Sequence, residues 1–200
     1  MAKHNLLSID LAKNVFQICG MTQLNTITFN KRMTRLEIPV FMAQQEPTVV
    51  VMEACYSSHY WARCFVAMGH TVKLLPAQHV KPFVIGHKSD RNDAVAIAEA
   101  SRRPNINSVP IKSLEQQDIQ TLHRIRERHI SQKTALMNQA RGLLAEYGII
   151  CPIGHKAFCT LLREVTAPET QAISGLIKTQ FNQVADEYYA HVDSVEDIDR

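Results

Sequence analysis

Residues 113–147, SLEQQDIQTLHRIRERHISQKTALMNQARGLLAEY, run without a proline and with a single internal glycine, Gly142. Ile119, Leu122, Ile125 or Arg126, His129 or Ile130, Lys133, Leu136 or Met137, Ala140, Leu143 or Leu144 and Tyr147 recur at helical spacing. The spacing predicts one long helix ended by Gly148. That helix divides the chain. Two more helices are expected after it, near 155–165 and 168–192. Before it the pattern changes to sheet.

HNLLSIDLA (4–12) is a short apolar run ending near Asp10, and NVFQICGM (14–21) and NTITFNK (25–31) alternate at period two. These predict consecutive antiparallel strands. RLEIPVFMAQQ (35–45) reads as a helix with Pro39 in its first turn. PTVVVMEA (47–54) is a continuous β-branched run, as in a buried strand. SSHYWARCFVAMG (57–69) follows as a helix, capped by Ser57 or Ser58 and ended by Gly69. HTVKLLP (70–76) is another buried strand, AQHVKPFVIGH is short and broken, and a helix resumes from Asp90 to about Arg103. The order strand-strand-strand-helix-strand-helix-strand-helix predicts a mixed α/β sheet.

Net charge is only +3, which by itself implies no polyanion. Its distribution is more telling. Residues 81–145 carry eleven Lys/Arg against six Asp/Glu, whereas residues 186–200 carry six acids and one base. Five cysteines without C-x-x-C spacing, no leader-like segment and no apolar run long enough for a membrane predict a reduced cytoplasmic protein with buried thiols. Nine scattered histidines show no zinc spacing.

The acids are placed more pointedly. Asp10 closes the first predicted strand, Glu53 closes the fourth, and Asp90 and Asp93 open the helix after the fifth. Strand ends along one edge of an α/β sheet are where sites form. At i and i+3, the two aspartates share a helix face. By themselves they read better as acids favouring a helix start. The four together suggest an oxygen-ligand site for Mg²⁺ or Mn²⁺, because converging carboxylates ionise together only around a cation. Two such ions can activate the attacking oxygen and stabilise the leaving oxygen of a phosphodiester. Lys88 and Arg91 would then face phosphate.

Five stretches in order carry a family resemblance: IDLAKNVFQ (9–17), EACYSSHYWAR (53–63), GHTVKLLPAQHVKPFV (69–84), KSDRNDAVAIAEASRRP (88–104) and LHRIRERHISQKTALMNQARGLLAEYGI (122–149). With them the chain resembles the DEDD transposases of bacterial insertion sequences related to the pilin-gene invertases, which are bridge-RNA-guided recombinases. The resemblance implies a ribonuclease H-like, RuvC-like catalytic domain over 1–110 and a helical coiled-coil assembly region over 111–200. It implies that Asp10, Glu53, Asp90 and Asp93 are the metal-binding catalytic carboxylates. It also implies DNA element ends and target DNA as partners, a structured guide RNA, a homo-oligomer (a dimer assembling to a tetramer), and a bacterial cytoplasmic, nucleoid-associated location. In this family a second domain carrying a catalytic serine follows. No stretch before Arg200 resembles it, and Ser57 and Ser58 read as helix caps rather than as that serine. An assembly fragment without turnover and a Holliday-junction-resolvase-like nuclease are the alternatives. A sugar-kinase-like ATPase is disfavoured because DLAKN lacks the glycines a phosphate loop needs.

Further phosphate contacts are expected from Lys13 beside Asp10 and from Arg124, Arg126, Arg128, Lys133 and Arg141 on the long helix. A solvated helical face would look the same. Tyr56, Tyr60 and Trp61 could stack on bases, although Tyr60 and Trp61 read better as packing their helix onto the sheet. Met33, Met42, Met52, Met68 and Met137 read as core filling.

Overall fold

The computed structural model describes residues 4–87 and 89–200, in two compact units, 1–113 and 114–200. In the first unit five strands form one sheet in the order β3-β2-β1-β4-β5. The strands are β1 (Leu6–Asp10), β2 (Val15–Met21), β3 (Ile27–Thr34), β4 (Val49–Glu53) and β5 (Thr71–Leu75). β1, β2 and β3 are antiparallel neighbours, while β4 runs parallel to both β1 and β5. The order and mixed directions, with helices on both faces, are those of a ribonuclease H-like fold. The connection from β3 to β4 runs through α1 (Glu37–Ala43), and that from β4 to β5 through α2 (Ser58–Ala67).

Alternation along each strand assigns side chains to the two faces. Leu7, Ile9, Phe16, Ile18, Val50 and Met52 are fully buried beneath α1 and α2, which contribute Ile38, Met42, Trp61, Ala62 and Phe65. Trp61 lies edge-on to Phe16 and stacks on Phe65. The opposite face, with Leu6, Cys19, Met21, Val51 and Leu75, is covered by α4 (Asp90–Ser101). α4 presents alanines to the sheet at Ala94, Ala96, Ala98 and Ala100, so its backbone approaches closely. Between β5 and α4 lie a single turn, α3 (Ala77–Val80), and a 3-10 turn over Lys81–Phe83.

Several sequence expectations are corrected. β3 continues to Thr34 rather than stopping at Lys31. Neither Ser57 nor Ser58 caps α2. Ser57 sits at φ 64° without a side-chain cap bond, and the buried Ser58 Oγ donates to the Cys55 carbonyl at 2.9 Å. Gly69, at φ 91°, does end that helix. Tyr60 is half exposed while Trp61 is buried, Met68 is partly exposed at the end of α2, and of the five free cysteines only Cys19 and Cys159 are buried.

In the second unit α5 (Leu114–Ala145) is a helix of 32 residues, about 48 Å long. Its C-terminal half packs with α6 (His155–Thr166) and α7 (Gly175–Asp199) around Leu144, Phe158, Leu162, Phe181 and Tyr188. α7 begins at residue 175, later than expected, because Ser174 caps it by accepting from the Ile177 N–H, and Ile173 is buried ahead of it. It also runs past 192 to Asp199, whose carboxylate takes two bonds from Arg126 of α5 at 2.6 and 3.0 Å. No described helix is long and apolar enough to cross a membrane.

Candidate metal centre

Asp10 and Glu53 end adjacent parallel strands. Ile9 pairs with Met52, so the two acids follow side by side. Alternation sends Asp10 to the same face as Leu6 and Ser8, and Glu53 to that of Val51, which is the face α4 covers. The register row through Asp10 continues to Gln17 on β2 and Arg32 on β3.

α4 is fixed over this row by polar contacts. Ser89 caps the helix by accepting from the Asn92 N–H. The buried Ser8 hydroxyl donates to the Ala94 carbonyl at 2.6 Å. Asn30 of β3 accepts from the Gln17 amide and donates to the Arg91 carbonyl at 3.0 Å. The first turn of α4 is therefore held to β1 directly and to β2 and β3 through Asn30. That turn carries Asp90 and Asp93.

Carboxylate oxygens of Asp10, Asp90 and Asp93 all lie within 4.8 Å of one another. Glu53 stands beside this triangle rather than in it. Burial, reinforced by Asp93, Asp90 and Glu53, pushes Asp10 up to about 6. Burial and then Asp93 raise Glu53. Burial, Glu53 and Asp10 push the Cys55 thiol up to about 11, which marks it as a neighbour of the acids and an unreactive one.

The donor set suits a hard divalent cation. Oxygens sharing one ion at about 2.1–2.5 Å are at most about 4–5 Å apart, and the triangle is within that limit. Asp10, Asp90 and Asp93 could hold such an ion directly, with Glu53 adding charge from the next strand.

The predicted basic residues are scattered in role. Lys13 is exposed in the turn after Asp10, and the Arg91 side chain is exposed between the two aspartates. Lys88 lies outside the described residues. On α5, Arg124 is exposed. Arg126 is occupied by Asp199, and Arg128 bonds His129 and Gln132. Arg141 lies over the Phe158 ring and donates to the Pro152 carbonyl. Lys133 is half-buried. Arg32 was not anticipated, because ending the third strand at Lys31 removed it from the sheet. Its Nη2 lies 2.9 Å from Asp90 Oδ2. Ser8, Gln17 and Asn30 were missed for a related reason. Their roles depend on which strands are neighbours, although their polar type within apolar strands was a signal.

Residues 7–149 match the family of DEDD transposases of the IS110 type, described as Transposase. The chain is 42% identical over 182 residues to a probable family 20 transposase of Pseudomonas aeruginosa, covering 90% of this chain and 54% of that protein. It is 41% identical over 177 residues to the transposase for insertion sequence element IS1111A of Coxiella burnetii, covering 88% and 49%. The transposase for insertion sequence element IS1328 of Yersinia enterocolitica is 34% identical and covers all of this chain, which is 59% of that protein. The chain spans about half the length of the curated relatives it matches. With a family match over most of its length and an acidic centre on a ribonuclease H-like sheet, this chain belongs to the DEDD transposase family of the IS110 type.

Proposed function

We propose that this chain carries the carboxylate centre of a DNA transposase that cuts and joins phosphodiesters with Mg²⁺ or Mn²⁺. The observation that carries the reading is the convergence of Asp10, Asp90 and Asp93 within 4.8 Å, beside Glu53. Bound there, the ion would supply a Lewis acid for the scissile phosphate and ease deprotonation of the attacking oxygen. The chain's own part is positioning. β1 and β4 present Asp10 and Glu53 from rigid strands, and the Ser8 and Asn30 bonds hold α4 so that Asp90 and Asp93 face them.

The finer reading follows the family. DNA element ends and target DNA would be the substrates, a structured RNA would choose the sites, and residues 1–110 would form the RuvC-like catalytic domain. Residues 111–200 would serve assembly, starting with a dimer and reaching a tetramer, in the cytoplasm beside the nucleoid. What supports assembly is the run Leu114, Ile119, Leu122 and Ile125, which α5 leaves exposed ahead of its Arg126–Asp199 contact with α7. Residues 119, 122 and 125 lie on one side of α5, as the apolar stripe of a packing helix does.

The test is Mn²⁺ titration calorimetry on the chain, with Asp93→Asn alongside. Saturable binding that the variant loses supports the reading. Binding that Asp93→Asn leaves unchanged, in a variant with native circular dichroism, overturns it.

A further inference from the structure

Arg32 stands out because it forms an ion pair with one of the acids, yet that pairing is easily undone. Arg32 and Asp90 bond at 2.9 Å with 70% and 57% of their side chains exposed. A pair so wet adds little to stability and is screened by salt. β3 has no need of it for docking. Asn30, on the same face of β3, already ties that strand to the first turn of α4 through the Arg91 carbonyl. The ion pair is therefore free to exchange while the backbone beneath it stays fixed.

Its position decides what it could exchange for. Arg32 lies in the register row Arg32, Gln17, Asp10, at the open edge of the sheet. Asp90 is the exposed member of the carboxylate triangle, whereas Asp10 and Asp93 are half-buried. A divalent cation held by the triangle gives Asp90 a new counter-charge. The guanidinium is then surplus, at hydrogen-bonding distance from the edge of the site, with planar paired donors that match phosphate oxygens.

We propose that Arg32 is a phosphate-binding residue of this centre, kept in reserve by Asp90. In the free protein it neutralises Asp90. When a cation takes that carboxylate, Arg32 turns to a phosphate of the DNA strand at the site. The proposal rests on reading the acids as cation ligands.

Two measurements on the whole chain test it. The first is Mn²⁺ calorimetry without nucleic acid. Arg32→Gln removes a competitor for Asp90, so Mn²⁺ binds several-fold more tightly than to the wild type. The second is fluorescence anisotropy with a short labelled DNA duplex in EDTA, arranged as a double-mutant cycle. Asp90→Asn frees Arg32 and raises affinity for DNA. In the Arg32→Gln background that gain largely disappears, and the slope of log affinity against log salt falls by about one. Arg32→Lys retains part of the gain, which a purely structural role would not explain. An equal gain from Asp90→Asn with and without Arg32 means simple charge removal and overturns the proposal. So does an unchanged Mn²⁺ affinity in folded Arg32→Gln. If the wild type binds no Mn²⁺ at all, the reading of the acids as ligands falls too. If it binds Mn²⁺ through Asp93 but ignores Arg32, only this inference fails.

Discussion

The Ser8 hydroxyl, buried in the middle of β1, donates to the carbonyl of Ala94 at 2.6 Å and so joins the strand that ends in Asp10 to the helix turn that carries Asp93. Ser8 is two residues before Asp10, and Ala94 is one residue after Asp93. The bond therefore sets the distance between two of the acids. Ser8→Ala removes one hydrogen bond, at a cost of about 1 kcal/mol in stability. Urea unfolding checks that cost. Mn²⁺ affinity should fall by more than the stability loss suggests, because a carboxylate site tolerates little displacement.

Asp10 makes stability depend on pH in an unusual direction. Its folded pKa of about 6 is above its ordinary value of 3.8. Between those values the folded state holds more proton than the unfolded state, so stability falls as pH rises from about 4 to about 6 and then levels off. Glu53, raised from 4.5, adds a contribution of the same sign. Asp10→Asn should flatten this slope and leave the protein at least as stable at pH 7. Cation binding has the opposite dependence, because it needs the ionised acid, so Mn²⁺ affinity should rise through pH 6. Urea midpoints and calorimetry across pH 4.5–7.5 check both signs.

These relationships also show which parts of the molecule were legible in the sequence. Alternation and β-branched runs revealed β1, β2, β4 and β5 and hence the strand ends at Asp10 and Glu53. That is possible because each strand is amphipathic or buried throughout. β3 was cut short since Arg32, Met33 and Thr34 form an edge strand, where burial imposes little pattern. Ser8, Gln17 and Asn30 bond across 86, 13 and 61 residues, and no local spacing encodes such contacts. The late start of α7 was hidden by the apolar Ile173, which packs into the core from a loop rather than from a helix. The basic residues of α5 looked alike in sequence, but their partners on α6 and α7 distinguish them.

Gly20 is required by close approach. A Cβ there would stand 2.5 Å from the Phe29 ring and 2.8 Å from Thr28 Oγ1, at the point where the β2–β3 register shifts. Phe29 is itself edge-on to His4 and Phe41 and cannot move without disturbing both. Gly20→Ala should cost about 1–3 kcal/mol. Thermal unfolding checks this, and Gly142→Ala, where the added Cβ meets nothing, should be neutral or mildly stabilising.

Arg126 separates internal from external use of the basic helix. Two bonds to Asp199 hold it, and each partner shifts the other's pKa, Arg126 upward and Asp199 downward. Both groups are exposed, so Asp199→Asn should leave the melting temperature nearly unchanged. Amide exchange in the last turns of α7 should quicken, because their anchor to α5 is lost. If α5 contacts nucleic acid, as its basic sequence leads one to expect, the same variant releases a cation and strengthens binding, whereas Arg126→Gln in the wild-type background changes it little. Hydrogen exchange and salt-dependent anisotropy on the two variants read these effects separately. Stronger loss of binding in Arg126→Gln than in Arg124→Gln would mean that Arg126 leaves Asp199 for phosphate and that α7 loosens when nucleic acid binds.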